Sequence, residues 1–201
     1  MTSREVFQKF IPKQAVAYCN KLYEKLGFEF KIKKARQTKL GDYRYDREID
    51  RHIISINNDL NEYSFLVTYL HEVAHLVAFK KYGNRIMPHG VEWKKSFKEV
   101  AQPMLTTDVF DEKVLAALNR YFKNPKASSC SDPTLYNVLK KFDLDPAPQL
   151  REIKVGEEFI FNKRVFRKLE KKRTRSVCLE IKTGRKYAIA EIAEVSLSSE
   201  K

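Results

Sequence analysis

Residues His71-Glu72-Val73-Ala74-His75 form an H-E-x-x-H run inside a stretch, Phe65 to Phe79, that is otherwise almost wholly apolar. An apolar segment of this kind is read as a buried helix, and a polar His-Glu-His group inside it is costly unless something satisfies it. At about 3.6 residues per turn, positions i and i+4 share one helix face. His71 and His75 therefore present their imidazoles side by side, both able to reach one Zn²⁺ at roughly 2.0–2.1 Å. Glu72 projects at a neighbouring angle, placed to take a proton from water rather than to bind the metal. In chains of this length and average composition, the pattern arises by chance roughly once in 200 cases.

A third histidine, His89, follows in Pro88-His89-Gly90, after a helix-stop signal at Tyr82-Gly83-Asn84. A loop turning back at that point can present a third ligand and leave a fourth position open for water. Three of the chain's four histidines would then serve one site.

The run HEVAHLVAFKKYGNRIMPHGVEWKK resembles the SprT-like zinc metallopeptidases, whose eukaryotic relatives are the Spartan and Wss1 proteases. The shared pattern is a zincin helix, a linker of about a dozen residues, and His-Gly-x-x followed by Trp or Phe, here His89-Gly90-Val91-Glu92-Trp93. The similarity covers roughly residues 5–110. It implies His71, His75 and His89 as zinc ligands, Glu72 as general base, and Trp93 as an aromatic packed beneath the site. It also implies substrates that are proteins bound or crosslinked to DNA. Many bacterial members add a zinc ribbon with paired cysteines. This chain has only Cys19, Cys130 and Cys178, with no C-x-x-C pair, so a second, structural zinc is not expected.

The isolated cysteines give no disulfide framework and suit a reducing compartment. The N-terminal residues lack a signal-peptide layout, and no apolar run approaches the roughly 20 residues that span a bilayer. The expectation is a soluble, monomeric, cytoplasmic protein, possible nucleoid association included. A net charge of +13 favours polyanionic partners. The densest basic run is Lys163, Arg164, Arg167, Lys168, Lys171, Lys172, Arg173 and Arg175, with Phe159, Phe161 and Phe166 nearby. Basic residues interleaved with aromatics suit nucleic-acid contact, although a sheet core would need the same phenylalanines.

Periodicity predicts an α+β protein. Phe7–Leu26 reads as an amphipathic helix ended by Gly27. A hairpin-like stretch follows over Phe28–Ile56, with a turn at Lys39-Leu40-Gly41-Asp42 and Tyr43 and Tyr45 on the returning strand. By resemblance, the segment Lys33–Arg47 is the strand bordering the cleft, where zincins receive substrate as an added strand. The metal helix runs from Leu60 to Phe79, capped by Asn58 or Asn61. Further helices are expected over Val91–Val100, Asp111–Phe122 and Thr134–Phe142, with a loop from Asn124 to Pro133. Strands are expected over Glu158–Phe161, Arg164–Leu169, Ser176–Ile181 and Lys186–Ala190, with a turn at Lys182-Thr183-Gly184. The domain plan is a zincin-like metallopeptidase domain over residues 1–125, a linker with a short helix over 126–150, and a small, basic, antiparallel SH3-like β subdomain over 151–201. The last is small enough to be expected to pack on the peptidase domain.

The functional readings are a DNA-associated zinc protease, a zinc peptidase whose charge steers acidic peptides, and a nucleic-acid-binding module with a non-catalytic zinc site. Glu72 weighs against the third, because a purely structural zinc needs no base beside it. Tyr43, Tyr45 and Tyr69 are all open as oxyanion-stabilising residues.

Overall fold

Helix α3, Glu62–Tyr82, buries residues on every side and is the element around which the first part of the chain is organised. It begins where Asn61 accepts a hydrogen bond from Ser64 N–H and ends at Gly83. In this computed structural model the described residues are 2–36, 39–126, 132–144 and 146–197. They divide into two units, Met1–Leu144 and Asp145–Lys201.

In the first unit, α1 (Ser3–Phe10) and α2 (Val16–Leu26) replace the single helix expected over Phe7–Leu26. The break falls at Ile11-Pro12, where Ile11 is extended and a short 3₁₀ turn follows. Proline lacks an N–H and pushes the preceding residue out of helical geometry, so helical spacing on both sides does not make one helix. Gly27 ends α2 in the left-handed conformation.

Strands β1 (Glu29–Lys33), β2 (Gly41–Asp46) and β3 (Arg51–Asn57) form a sheet of order β1-β3-β2. The hairpin is β2–β3, and β1 pairs parallel to β3. The most apolar strand, with Ile53, Ile54 and Ile56 buried, takes the centre. On β1, Phe30 packs against Phe7 and Tyr69, which joins the sheet to α1 and α3. Strand β2 is left at the edge.

Helices α4 (Val91–Ala101), α5 (Glu112–Tyr121) and α6 (Pro133–Lys140) complete the unit. The short helix expected within residues 126–150 is α6, and the division between the two units falls within that segment. Leu135 and Leu139 of α6 belong to the first core, and Asn61 Nδ2 donates to Leu139 O. At its other end, Leu150 and Ile153 belong to the core of the second unit. Residues 127–131 of the expected loop, Cys130 among them, lie outside the described residues.

The second unit is a five-stranded antiparallel sheet of order β7-β6-β5-β4-β8. Its strands are β4 (Glu158–Phe161), β5 (Arg164–Lys171), β6 (Arg175–Glu180), β7 (Lys186–Ala190) and β8 (Ser196–Leu197). Phe159, Phe166, Cys178, Ile189 and Val195 fill its core. Among the described residues no helix is long and apolar enough to cross a membrane.

Candidate active site

His71 and His75 lie on successive turns of α3, and His89 comes from the loop between α3 and α4. That loop delivers its histidine through a left-handed backbone, φ 58° at His89, a conformation few residues other than glycine adopt. Gly90 follows, its N–H donating to Met87 O at 2.9 Å. A Cβ at Gly90 would stand 2.9 Å from the same oxygen, so the turn has no room for any other residue. Trp93, one turn into α4 and fully buried, packs its ring 4.7 Å from those of His71 and His89 and 5.2 Å from His75. The His-Gly-x-x-Trp spacing is thus a ligand-bearing turn followed by the floor it rests on.

The three Nε2 atoms converge, 3.2 Å between His71 and His89, 3.2 Å between His71 and His75, and 3.0 Å between His75 and His89. Three ligand nitrogens around a tetrahedral zinc at 2.0–2.1 Å stand about 3.3 Å apart, so the trio fits a metal ion. Burial, and then the neighbouring histidines, push the pKa of His71 down to about 2. Burial and His89 take that of His75 to about 3, and burial lowers that of His89. Neutral imidazole is the ligating form, and these surroundings hold all three rings in it.

Glu72 is 7% exposed, lines the same cleft as the histidines, and lies against β2 at Gly41 and Tyr43. Burial, reinforced by the charge of Asp42, raises its pKa to about 8, against the opposing pull of Tyr43 N–H, Arg36 and Lys39. A carboxyl that exchanges its proton near neutrality can serve as base and then as acid. Gly41 makes this placement possible. A Cβ there would come within 2.6 Å of both Glu72 Oε1 and Thr68 Cγ2. Histidines, Glu72 and the start of β2 line one cleft of about 510 Å³.

A sequence model of the SprT-like family matches residues 4–116, more than half of the chain. The chain belongs to the SprT-like family. No curated protein and no solved structure matches it. The family match spans α1 through part of α5, and with them the histidines, Glu72 and Trp93; the second unit lies beyond it.

Among the SprT-like unit's three tyrosines left open by the sequence, Tyr69 is fully buried and donates to Cys19 O at 2.9 Å, which makes it a core residue. Tyr45 donates to Asp50 at 2.5 Å. Tyr43 lines the cleft, its ring parallel to that of His75 and its hydroxyl 3.0 Å from His52 Nδ1. His52 therefore stands outside the trio, in a cluster with Tyr43, Tyr45 and Phe79. Gly41 and Phe79 carry no sign of a site role in the sequence. One reads as a turn residue and the other as core, because contact between a strand and a distant helix leaves no local signature.

The basic run of the second unit is not one patch. Lys168 is 2% exposed, donates to Leu150 O and Ile153 O, and pairs with Glu191 at 3.2 Å. It is a buried structural lysine and not the nucleic-acid contact expected of it, because its ammonium is already bonded inside the fold. The other seven are exposed but separated by β5, eight residues and roughly 25 Å long. Lys163 and Arg164 sit at one end, and Lys171, Lys172, Arg173 and Arg175 at the hairpin tip of the other. Between them, Arg167 pairs with Glu158, while Arg164 pairs with Glu180 and covers the rings of Phe166 and Tyr187.

Proposed function

We propose that this SprT-like protein is a zinc-dependent endopeptidase with a zincin-like catalytic unit, acting on proteins bound or crosslinked to DNA. The observation that carries the reading is the convergence of His71, His75 and His89 Nε2 atoms within 3.2 Å, with the Glu72 carboxyl buried beside them. Three imidazoles and an adjacent carboxyl form a donor set suited to zinc rather than to magnesium or calcium. When bound, zinc supplies a Lewis acid that polarises the scissile carbonyl and acidifies water. Glu72 takes the proton from the attacking water and delivers it to the leaving amine; its burial and raised pKa support both halves of that task. Trp93 holds the three rings in place from below.

The substrate lies extended along β2, whose outer edge is unpaired among the described residues. The second unit, which we read as SH3-like, brings the enzyme to DNA through the four cations of its Lys171–Arg175 hairpin tip. The net charge of +13 supports a polyanionic partner. The protein works as a monomer in the cytoplasm, on nucleoid-bound proteins. A direct test incubates the zinc-loaded protein with a DNA-binding protein, with and without DNA. Zinc-dependent cleavage that DNA stimulates is expected. Cleavage indifferent to DNA would leave a peptidase whose charge steers acidic peptides, and absence of cleavage would leave a metal-binding module.

A further inference from the structure

The cleft continues past the histidines. Strand β2 and helix α3 run in step, Gly41 beside Glu72, Tyr43 beside His75, and Tyr45 beside Phe79, the last pair with ring centroids 4.9 Å apart. Phe79 follows His75 by four residues, so it extends the histidine face of α3 by one turn. Ile86 and Met87, in the loop that carries His89, line the same cleft. Met87 is 74% exposed, a large apolar side chain at the mouth of the site. Asp42 and Arg44, which alternate with the tyrosines along the strand, also border the cleft, at its β2 wall.

The open edge of β2 fixes what can lie there. Leu40 O accepts from Asn57 N–H on the β3 side, whereas Tyr43 N–H turns to Glu72. Alternation therefore turns the backbone groups of Gly41, Tyr43 and Tyr45 away from β3; Tyr43 N–H is held by Glu72, and the others face the open side. A peptide hydrogen-bonded to them passes the histidines and then sets a side chain beside Tyr45 and Phe79. At roughly 3.3 Å per residue, that side chain is about two residues from the bond at the histidines.

We propose that Tyr45, Phe79, Ile86 and Met87 form a specificity subsite for a large apolar side chain of an extended peptide. The inference rests on the peptidase reading only in requiring a peptide in the cleft. An apolar side chain removed from water there, against a carboxylate that would have to be desolvated, gives a preference of roughly tenfold or more.

The test uses fluorescein-labelled peptides of one parent sequence, with Leu, Phe or Asp at each position in turn. Binding to the zinc-loaded Glu72→Gln protein is read by anisotropy, and cleavage by the unaltered protein is read by mass spectrometry. One position should favour Leu and Phe over Asp at least tenfold in binding, and should lie about two residues from the cut. Met87→Lys and Phe79→Ala, checked for zinc content and circular dichroism, should each shrink that preference. No positional preference, no binding, or a preference untouched by both substitutions would overturn the subsite. Preferential binding without cleavage would keep the subsite and remove the peptidase reading; cleavage without preference would do the reverse.

Discussion

Gly41 lies so close to Glu72 that a single added carbon would stand 2.6 Å from the carboxylate oxygen. The strand that borders the cleft and the residue read as its base are thus fitted to each other across 31 residues of sequence. Contacts under 3 Å force something to move, and overpacking of this kind costs about 1–3 kcal/mol. Gly41→Ala should therefore displace Glu72 and lower proteolysis at least tenfold, while the three histidines keep their metal. Zinc stoichiometry and cleavage rate measured on the same preparation check this. Adding Thr68→Ala, which removes the second clashing atom, should restore part of the rate.

His89 reaches the trio only through a strained turn, which makes Gly90 a test of the third ligand. Gly90→Ala should weaken zinc binding without touching a ligand, and His89→Ala should weaken it further. Trp93 is the chain's single tryptophan and packs on all three rings. Its fluorescence should change when a chelator removes the metal, recover when zinc is returned, and respond less in His89→Ala. Unchanged zinc affinity in His89→Ala would exclude the third ligand.

The separation of the basic run at β5 gives opposite expectations for neighbouring lysines. Lys168→Ala removes the nearest cation from buried Glu191, which keeps Ser176 and the more distant Lys171, and removes the donor to Leu150 O and Ile153 O; it should cost about 1–3 kcal/mol of stability in the second unit, read as a lowered thermal transition. Serine at Lys171, Lys172, Arg173 and Arg175 should leave that transition nearly in place.

The same four substitutions test the DNA interaction. For every phosphate the hairpin tip ceases to neutralise, the log–log salt dependence of duplex binding should flatten by roughly 0.9. Serine at Lys9, Lys13, Lys21 and Lys25, which removes as much charge from α1 and α2 and the turn between them, should have the smaller effect on affinity and slope. Equal effects would mean that the charge acts only as a diffuse field.

Much of this molecule is legible in the chain, for identifiable reasons. The metal helix can be read because two histidines four apart in an apolar run constrain each other locally. The strands of the second unit can be read because alternation survives in a sheet with one buried face, and Asn61, one of two expected caps, is the cap observed. What escapes depends on partners far away in sequence. Strand order β1-β3-β2 is decided by which strand must be most buried, Lys168 is satisfied by carbonyls of a 3₁₀ turn and a residue beside it, and Gly41 is required by a helix two elements later. Pro12 is the exception, a local signal masked by the apolar spacing that runs across it.

The central claim, that Glu72 is the base of a histidine-held zinc site, is tested most directly by Glu72→Gln. Amide replaces carboxylate with almost no change of shape, so the three histidines should bind one zinc per chain as before while cleavage falls by at least two orders of magnitude. Metal content by atomic emission and cleavage of an unfolded protein, measured side by side, give the answer. Wild-type cleavage by a zinc-loaded Glu72→Gln protein would contradict the account.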